Sequence, residues 1–124
     1  MIKALFFDID GTLVSFNTHE ITSSTLAAIA EAKAKGIKIF IATGRPKAII
    51  NNLTALQERE LIDGYITMNG GYCFVGDEVI YKHSIPVQDV KALAALSDER
   101  NFPCIFVAEH TVAVCNTNKL VNEI

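Results

Sequence analysis

The sequence predicts an α/β protein built on a mainly parallel sheet and followed by an α+β module, and three observations carry that reading. Ala4-Leu5-Phe6-Phe7 and residues 37–42 are almost continuously apolar, as strands covered on both faces are, and helical patterns separate these runs from each other and from a third. The connections are short, as right-handed crossovers between neighbouring parallel strands require. Beyond Asn69-Gly70-Gly71 the pattern changes to short strand-like runs paired about turns.

Taken in order, the first strand covers residues 2–9 and ends in two carboxylates, Asp8 and Asp10. A helix is predicted over residues 22–35, with Thr22, Ser23 and Ser24 as cap candidates and Gly36 as its stop. Leu26, Ile29 and Ala30 form its apolar face, and Glu31 with Lys35 makes an i,i+4 pair. The second strand occupies residues 37–42. Thr43-Gly44-Arg45-Pro46 then turns the chain, and Pro46 suits the first position of a helix running to Arg59 with Ile49, Leu53 and Leu56 on one face. A third strand follows at residues 65–68, completing the order β, α, β, α, β of a three-layer core.

Residues 72–75 and 78–82 read as an antiparallel hairpin about Gly76-Asp77. A helix over residues 87–100 places Val87, Val90, Leu93 and Ala94 at helical spacing, and residues 104–107 and 112–115 bracket Glu109-His110 as a second hairpin. Asn116, Thr117 and Asn118, with Leu120, Val121 and Ile124 behind them, read as the opening of another helix. A module boundary near residues 83–86 divides the chain into a core of residues 1–82 and the start of a second module, residues 83–124.

Composition narrows the function. With 124 residues, half of them hydrophobic, the chain can pack a core without disulfides or a structural metal. Its apolar runs are far shorter than the ~20 residues of a membrane helix, and the N-terminus lacks a secretory layout, so no membrane partner and a cytoplasmic location are expected. Cys73, Cys104 and Cys115 lack C-x-x-C spacing and are read as small core residues. A net charge of −3 without a Lys/Arg cluster argues against nucleic acid.

Residues two apart on a strand point the same way, so Asp8 and Asp10 can reach one small volume as the chain turns at Gly11. Two carboxylates that close repel unless a cation or a shared proton offsets them. In open α/β sheets ligands bind beyond the carboxyl ends of the strands. There Asp8 could act as a nucleophile, Asp10 as a general acid and base, and Mg²⁺ as screen and Lewis acid. Thr43-Gly44-Arg45, after the second strand and before a helix, could hold phosphate oxygens with a hydroxyl and N–H groups. A Rossmann dehydrogenase would want G-x-G-x-x-G after its first strand, and a D-x-D glycosyltransferase would need a nucleotide-binding region before the motif; neither fits.

Asp8-Ile9-Asp10-Gly11-Thr12-Leu13 resembles the first signature of the haloacid dehalogenase superfamily of phosphotransferases, and Ile41-Ala42-Thr43-Gly44-Arg45-Pro46 resembles its second. With Met68-Asn69-Gly70-Gly71 and the hairpin ending in Ile80-Tyr81-Lys82, the chain is similar to the N-terminal portion of the Cof-type sugar-phosphate phosphatases, which carry an inserted α+β cap of type IIB. The resemblance implies a three-layer Rossmannoid core, a Mg²⁺ cofactor and small phosphorylated metabolites as substrates. It implies Asp8 as nucleophile and metal ligand, and Asp10 as acid and base with its backbone carbonyl on the metal. It further implies Thr43 and the Gly44 amide as phosphate-binding groups, and Arg45 and Asn69 near the phosphate or the leaving group.

The third signature of the family, with its phosphate-binding Lys, and the fourth, G-D-x-x-N-D, do not occur in these 124 residues; Gly76-Asp77-Glu78 is read as a hairpin turn. The isolated chain is therefore expected to be catalytically weak or dead and to associate through exposed apolar core surface. The alternative is a non-catalytic phosphoryl-binding or interaction module, or an inactive truncated remnant. His19 is read as a surface residue, His83 lies near the expected hinge and Glu109-His110 is read as a plain turn; none of the three histidines carries an assigned role.

Overall fold

A computed structural model describes residues 1–117, which fall into two units. The first, Met1–Lys82, is a five-stranded sheet in the sequential order β1 (Ala4–Phe7), β2 (Lys38–Ala42), β3 (Gly64–Thr67), β4 (Tyr72–Val75), β5 (Glu78–Lys82). β1, β2 and β3 run parallel, with Phe6 opposite Phe40 and Phe40 opposite Gly64; β4 and β5 return antiparallel.

α1 (Ser23–Ala34) links β1 to β2, and Thr22 caps it by accepting the Thr25 N–H. Gly36, at a φ of +83°, lets the chain leave the helix for β2. Its Ile29 packs with Ile39 and Ile41 of β2, and with Leu53, Leu56 and Leu61, in one buried cluster. Burying each such side chain stabilises the unit by about 1.5–3 kcal/mol. Because residues of both connections join one cluster, both cover the same face of the sheet, so the described residues supply two layers. The other face carries Phe6 stacked on Phe40 at 4.9 Å, with Phe6 still 58% exposed.

The helix expected from Pro46 to Arg59 does not form. A 3₁₀ turn, Lys47–Ile49, is followed by an extended Ile50 (φ −84°, ψ 97°) and a short α2 (Thr54–Glu58). The Ile49 carbonyl, which a continuous helix would give to the Leu53 N–H, instead accepts a hydrogen bond from Arg45 Nη1 at 3.1 Å. Ile49 is accordingly exposed, while Leu53 and Leu56 are fully buried. β1 is also shorter than residues 2–9: Met1 and Ile2 lie exposed, and the chain already turns at Ile9.

At the entry end of the strands, Asp63 ties the layers together. Its carboxylate accepts the Ile39 N–H at 2.8 Å, with Lys33 of α1 at 2.9 Å and Lys38 of β2 at 3.5 Å. Burial alone would raise its pKa, but the Ile39 N–H and the two ammonium groups outweigh that and hold it below the ordinary carboxylate range.

The second unit begins at His83. α3 (Val87–Arg100) ends at Asn101 in a left-handed conformation, and β6 (Cys104–Val107) pairs antiparallel with β7 (Val112–Cys115). Ser97 of α3 is fully buried, donating to the Phe102 carbonyl at 2.6 Å and accepting from Asn116 Nδ2 at 2.8 Å. The cysteines are free thiols, and the core reading fails for Cys115, which is exposed; Cys73 and Cys104 are half-buried. Cys115 lies opposite the half-buried Cys104 at the last position of β7, a strand whose residues 113–115 are all exposed. The helix expected from residue 116 onward falls mainly on residues outside those described.

Candidate active site

Three loops converge at the carboxyl ends of β1, β2 and β3. Asp8 directly follows β1, and the loop behind it is anchored by the buried apolar residues Ile9, Leu13 and Val14. The Ile9 carbonyl accepts from the N–H groups of Thr12, Leu13 and Val14, while the Gly11 N–H returns to the Val14 carbonyl at 2.8 Å. Gly11 has a φ of +80°, and a Cβ there would lie 2.6 Å from the Phe16 ring. The turn therefore needs glycine, and it leaves Asp8 exposed beside the crevice.

After β2, Thr43 is buried and its backbone N–H donates to the Ile66 carbonyl at 2.9 Å. Its hydroxyl accepts the Arg45 N–H at 3.0 Å, which leaves the hydroxyl proton free to donate. Among the described residues the Gly44 N–H has no backbone acceptor. The helix N-terminus expected here is replaced by the three-residue 3₁₀ turn, so the donors this loop offers to an anion are the hydroxyl and this single amide, without a helix dipole behind them.

After β3, Met68, Asn69 and Gly70 adopt consecutive positive φ values of 53°, 54° and 95°. This bend is stitched to the β2 loop by Asn69 N–H to the Thr43 carbonyl (3.2 Å) and Met68 N–H to the Arg45 carbonyl (3.3 Å). It lays the Asn69 amide over Gly44, where a Cβ would meet Asn69 Oδ1 at 3.1 Å. Asp8, Thr43, Gly44 and Asn69 consequently line one crevice of about 290 Å³.

Asp10 and Arg45 are not among the residues lining that crevice. They form a bidentate ion pair, Arg45 Nε to Asp10 Oδ2 at 2.7 Å and Nη2 to Oδ1 at 2.6 Å. Those hydrogen bonds hold the Asp10 carboxyl below its ordinary range despite the opposing pull of desolvation, and raise Arg45 in turn. Sequence spacing had not suggested this contact across 35 positions. His19, read as a surface residue, is exposed, and so are His83 and His110.

The donor set suits a hard divalent cation in part. Among the described residues Asp8 makes no hydrogen bond or ion pair, so its oxygens are open to a metal, and the Asp10 carbonyl accepts no backbone N–H in the turn. No group of three or more His, Cys, Asp or Glu side chains converges among the described residues. Mg²⁺ retains several waters and binds through one or two carboxylates plus substrate phosphate, so Asp8 and the Asp10 carbonyl could hold it without a closed cage.

Residues 5–124 match the family model of the haloacid dehalogenase-like hydrolases. A Bacillus subtilis (strain 168) protein provisionally named as the phosphatase YkrA is 34% identical over 110 residues, 89% of this chain and 41% of its own length. The structure of the HAD subclass IIB sugar phosphatase BT4131 superposes with a TM-score of 0.90 at 68% identity, over 98% of this chain and 47% of that one. A second structure, from work on a trigonal-bipyramidal intermediate conserved in a phosphoryl-transfer superfamily, gives a TM-score of 0.92 at 67% identity, over 100% of this chain and 48% of that one. The chain thus spans less than half the length of each of these relatives.

Proposed function

The chain belongs to the haloacid dehalogenase-like hydrolases, and from that membership we propose that it supplies the nucleophile side of a Mg²⁺-dependent phosphatase. Its substrates would be small phosphorylated metabolites, sugar phosphates foremost. The observation that carries this reading is the crevice itself, in which an unpaired carboxylate, Asp8, lines the same hollow as the Thr43-Gly44 loop. The likeness to a sugar phosphatase at 68% identity supports the substrate class.

In the proposed reaction an Asp8 oxygen attacks phosphorus. The Asp8–phosphorus bond forms as the ester bond breaks, and Asp10, which must first take up a proton against the pull of Arg45, gives that proton to the leaving oxygen. Water then attacks phosphorus, Asp10 takes a proton from it, and the Asp8–phosphorus bond breaks to release phosphate. The Thr43 hydroxyl and Gly44 N–H donate to the transferring phosphoryl oxygens, where donors act most strongly on developing charge. The Asn69 amide, lying over Gly44, would face the phosphate and the leaving group. Bound Mg²⁺ would neutralise charge between the Asp8 carboxylate and the phosphoryl oxygens. Three free thiols without C-x-x-C spacing suit a reducing cytoplasm, and no described helix is long and apolar enough to cross a membrane.

For the 124 residues alone, a phosphoryl-binding role without turnover is the second reading, favoured because among the described residues no lysine lines the crevice and no third carboxylate joins Asp8 and Asp10. A screen of phosphorylated metabolites separates the two. A polypeptide of the relatives' length that carries these residues should release phosphate with Mg²⁺ and stop with chelator, while the 124-residue chain stays near background. Full Mg²⁺-dependent turnover by the short chain would contradict the second reading, and no turnover by the longer one would contradict the first.

A further inference from the structure

Arg45 is occupied away from the crevice. A guanidinium carries five N–H donors, and four are engaged here: Nε and Nη2 on the two Asp10 oxygens, and Nη1 on the Ile49 carbonyl at 3.1 Å and Asn51 Oδ1 at 3.4 Å. The fork fixes both the place and the plane of the Asp10 carboxylate, because two parallel N–H bonds permit little rotation. The Arg45 backbone is pinned as firmly, its N–H on Thr43 Oγ1 and its carbonyl on the Met68 N–H. The side chain that grips Asp10 therefore grows from the same loop that carries Thr43 and Gly44. The break in the expected helix serves this arrangement, since it frees the Ile49 carbonyl to anchor the guanidinium.

We propose that Arg45 is a positioning residue that fixes the Asp10 carboxylate relative to the Thr43-Gly44 loop and does not itself hold substrate. This rests on the reading of Asp10 as the proton-transfer group. A bidentate contact spent on Asp10 leaves one Nη2 proton, too little for a two-point grip on a phosphate. The second carboxylate lone pairs of Asp10 remain open to the reacting oxygen, so the grip and the proton transfer are compatible.

The test is steady-state hydrolysis of a phosphomonoester by the longer polypeptide with Mg²⁺. Arg45→Ala should lower kcat by about 100-fold, the scale of a general acid–base contribution, with KM changed by less than about threefold. Arg45→Lys, which offers a point charge without the fork, should remain similarly impaired, whereas guanidinium added to Arg45→Ala should restore part of kcat. Combined with Asp10→Ala, Arg45→Ala should cause no further loss, because both changes remove one unit. If Arg45→Ala proves unfolded, Arg45→Gln carries the same comparison. A rise in KM at unchanged kcat, or additive losses in the double variant, would overturn the inference while leaving the phosphatase reading intact. A wild-type protein without Mg²⁺-dependent turnover would sink both.

Discussion

Asp10 and Asp63 sit at opposite ends of the strands in one sheet, and basic side chains hold each of them for different ends. At the entry end, Asp63 accepts the N–H of the fully buried Ile39 and pairs with Lys33 and Lys38, so one carboxylate binds α1, β2 and the start of β3 together. At the exit end, Asp10 is gripped by one guanidinium on a loop, and its neighbour Asp8 has no partner among the described residues. The entry end satisfies its charges internally, and the exit end leaves one open beside a crevice. That asymmetry separates a carboxylate that stabilises the fold from one available for chemistry.

Breaking the exit end should produce the largest effect. Asp8→Asn should bring phosphatase turnover of the longer polypeptide to background while circular dichroism and the unfolding midpoint stay unchanged, since nothing in the fold depends on that charge. Breaking the entry end should do the reverse: Asp63→Ala leaves the buried Ile39 N–H unsatisfied and should lower unfolding free energy by about 2 kcal/mol in urea titration, with kcat unaltered.

The same clamp fixes a pH dependence. A carboxyl whose folded pKa lies below its unfolded value contributes stability above the unfolded pKa and loses it as pH falls through the folded one. Wild-type stability should therefore decline below the ordinary carboxylate range, and the Asp63→Asn variant should show a shallower decline.

Gly44→Ala sharpens the comparison at smaller scale. Its Cβ would press on Asn69 Oδ1 at 3.1 Å, and displacing that amide should reduce kcat/KM about tenfold, or ~1.4 kcal/mol, with stability nearly unchanged. A modest effect on folding belongs to the uncovered sheet face: Phe6→Ser loses the stack on Phe40 and should lower stability by about 1 kcal/mol, yet reduce concentration-dependent association of the 124-residue chain in light scattering.

Much of this was legible in the sequence because it rests on local rules. Apolar runs, caps and glycine turns placed β1 to β5, α1 and α3 within a few residues, and the two strand-end motifs named Asp8, Thr43 and Gly44, and the family resemblance Asn69, before geometry brought them together. The helix over residues 46–59 was misread because the spacing of Ile49, Leu53 and Leu56 satisfies a helix, while a guanidinium competes for the carbonyl at its centre. That competition, the Asp10–Arg45 fork and the Asp63 clamp are contacts between distant residues, which periodicity does not encode. Cys115 was misplaced for a simpler reason: it stands at the end of a two-stranded hairpin, and residues 113–115 of that strand stay exposed although its partner Cys104 is half-buried.

The central claim is that the unpaired carboxylate after β1 is the nucleophile, and acid-quenched turnover followed by peptide mapping tests it most directly. The longer polypeptide, mixed with a phosphomonoester and Mg²⁺ and quenched within a turnover, should carry a hydroxylamine-labile phosphoryl group on the peptide containing Asp8. The Asp8→Asn protein should carry none. Phosphorylation at another residue, or undiminished turnover by Asp8→Asn, would contradict the account.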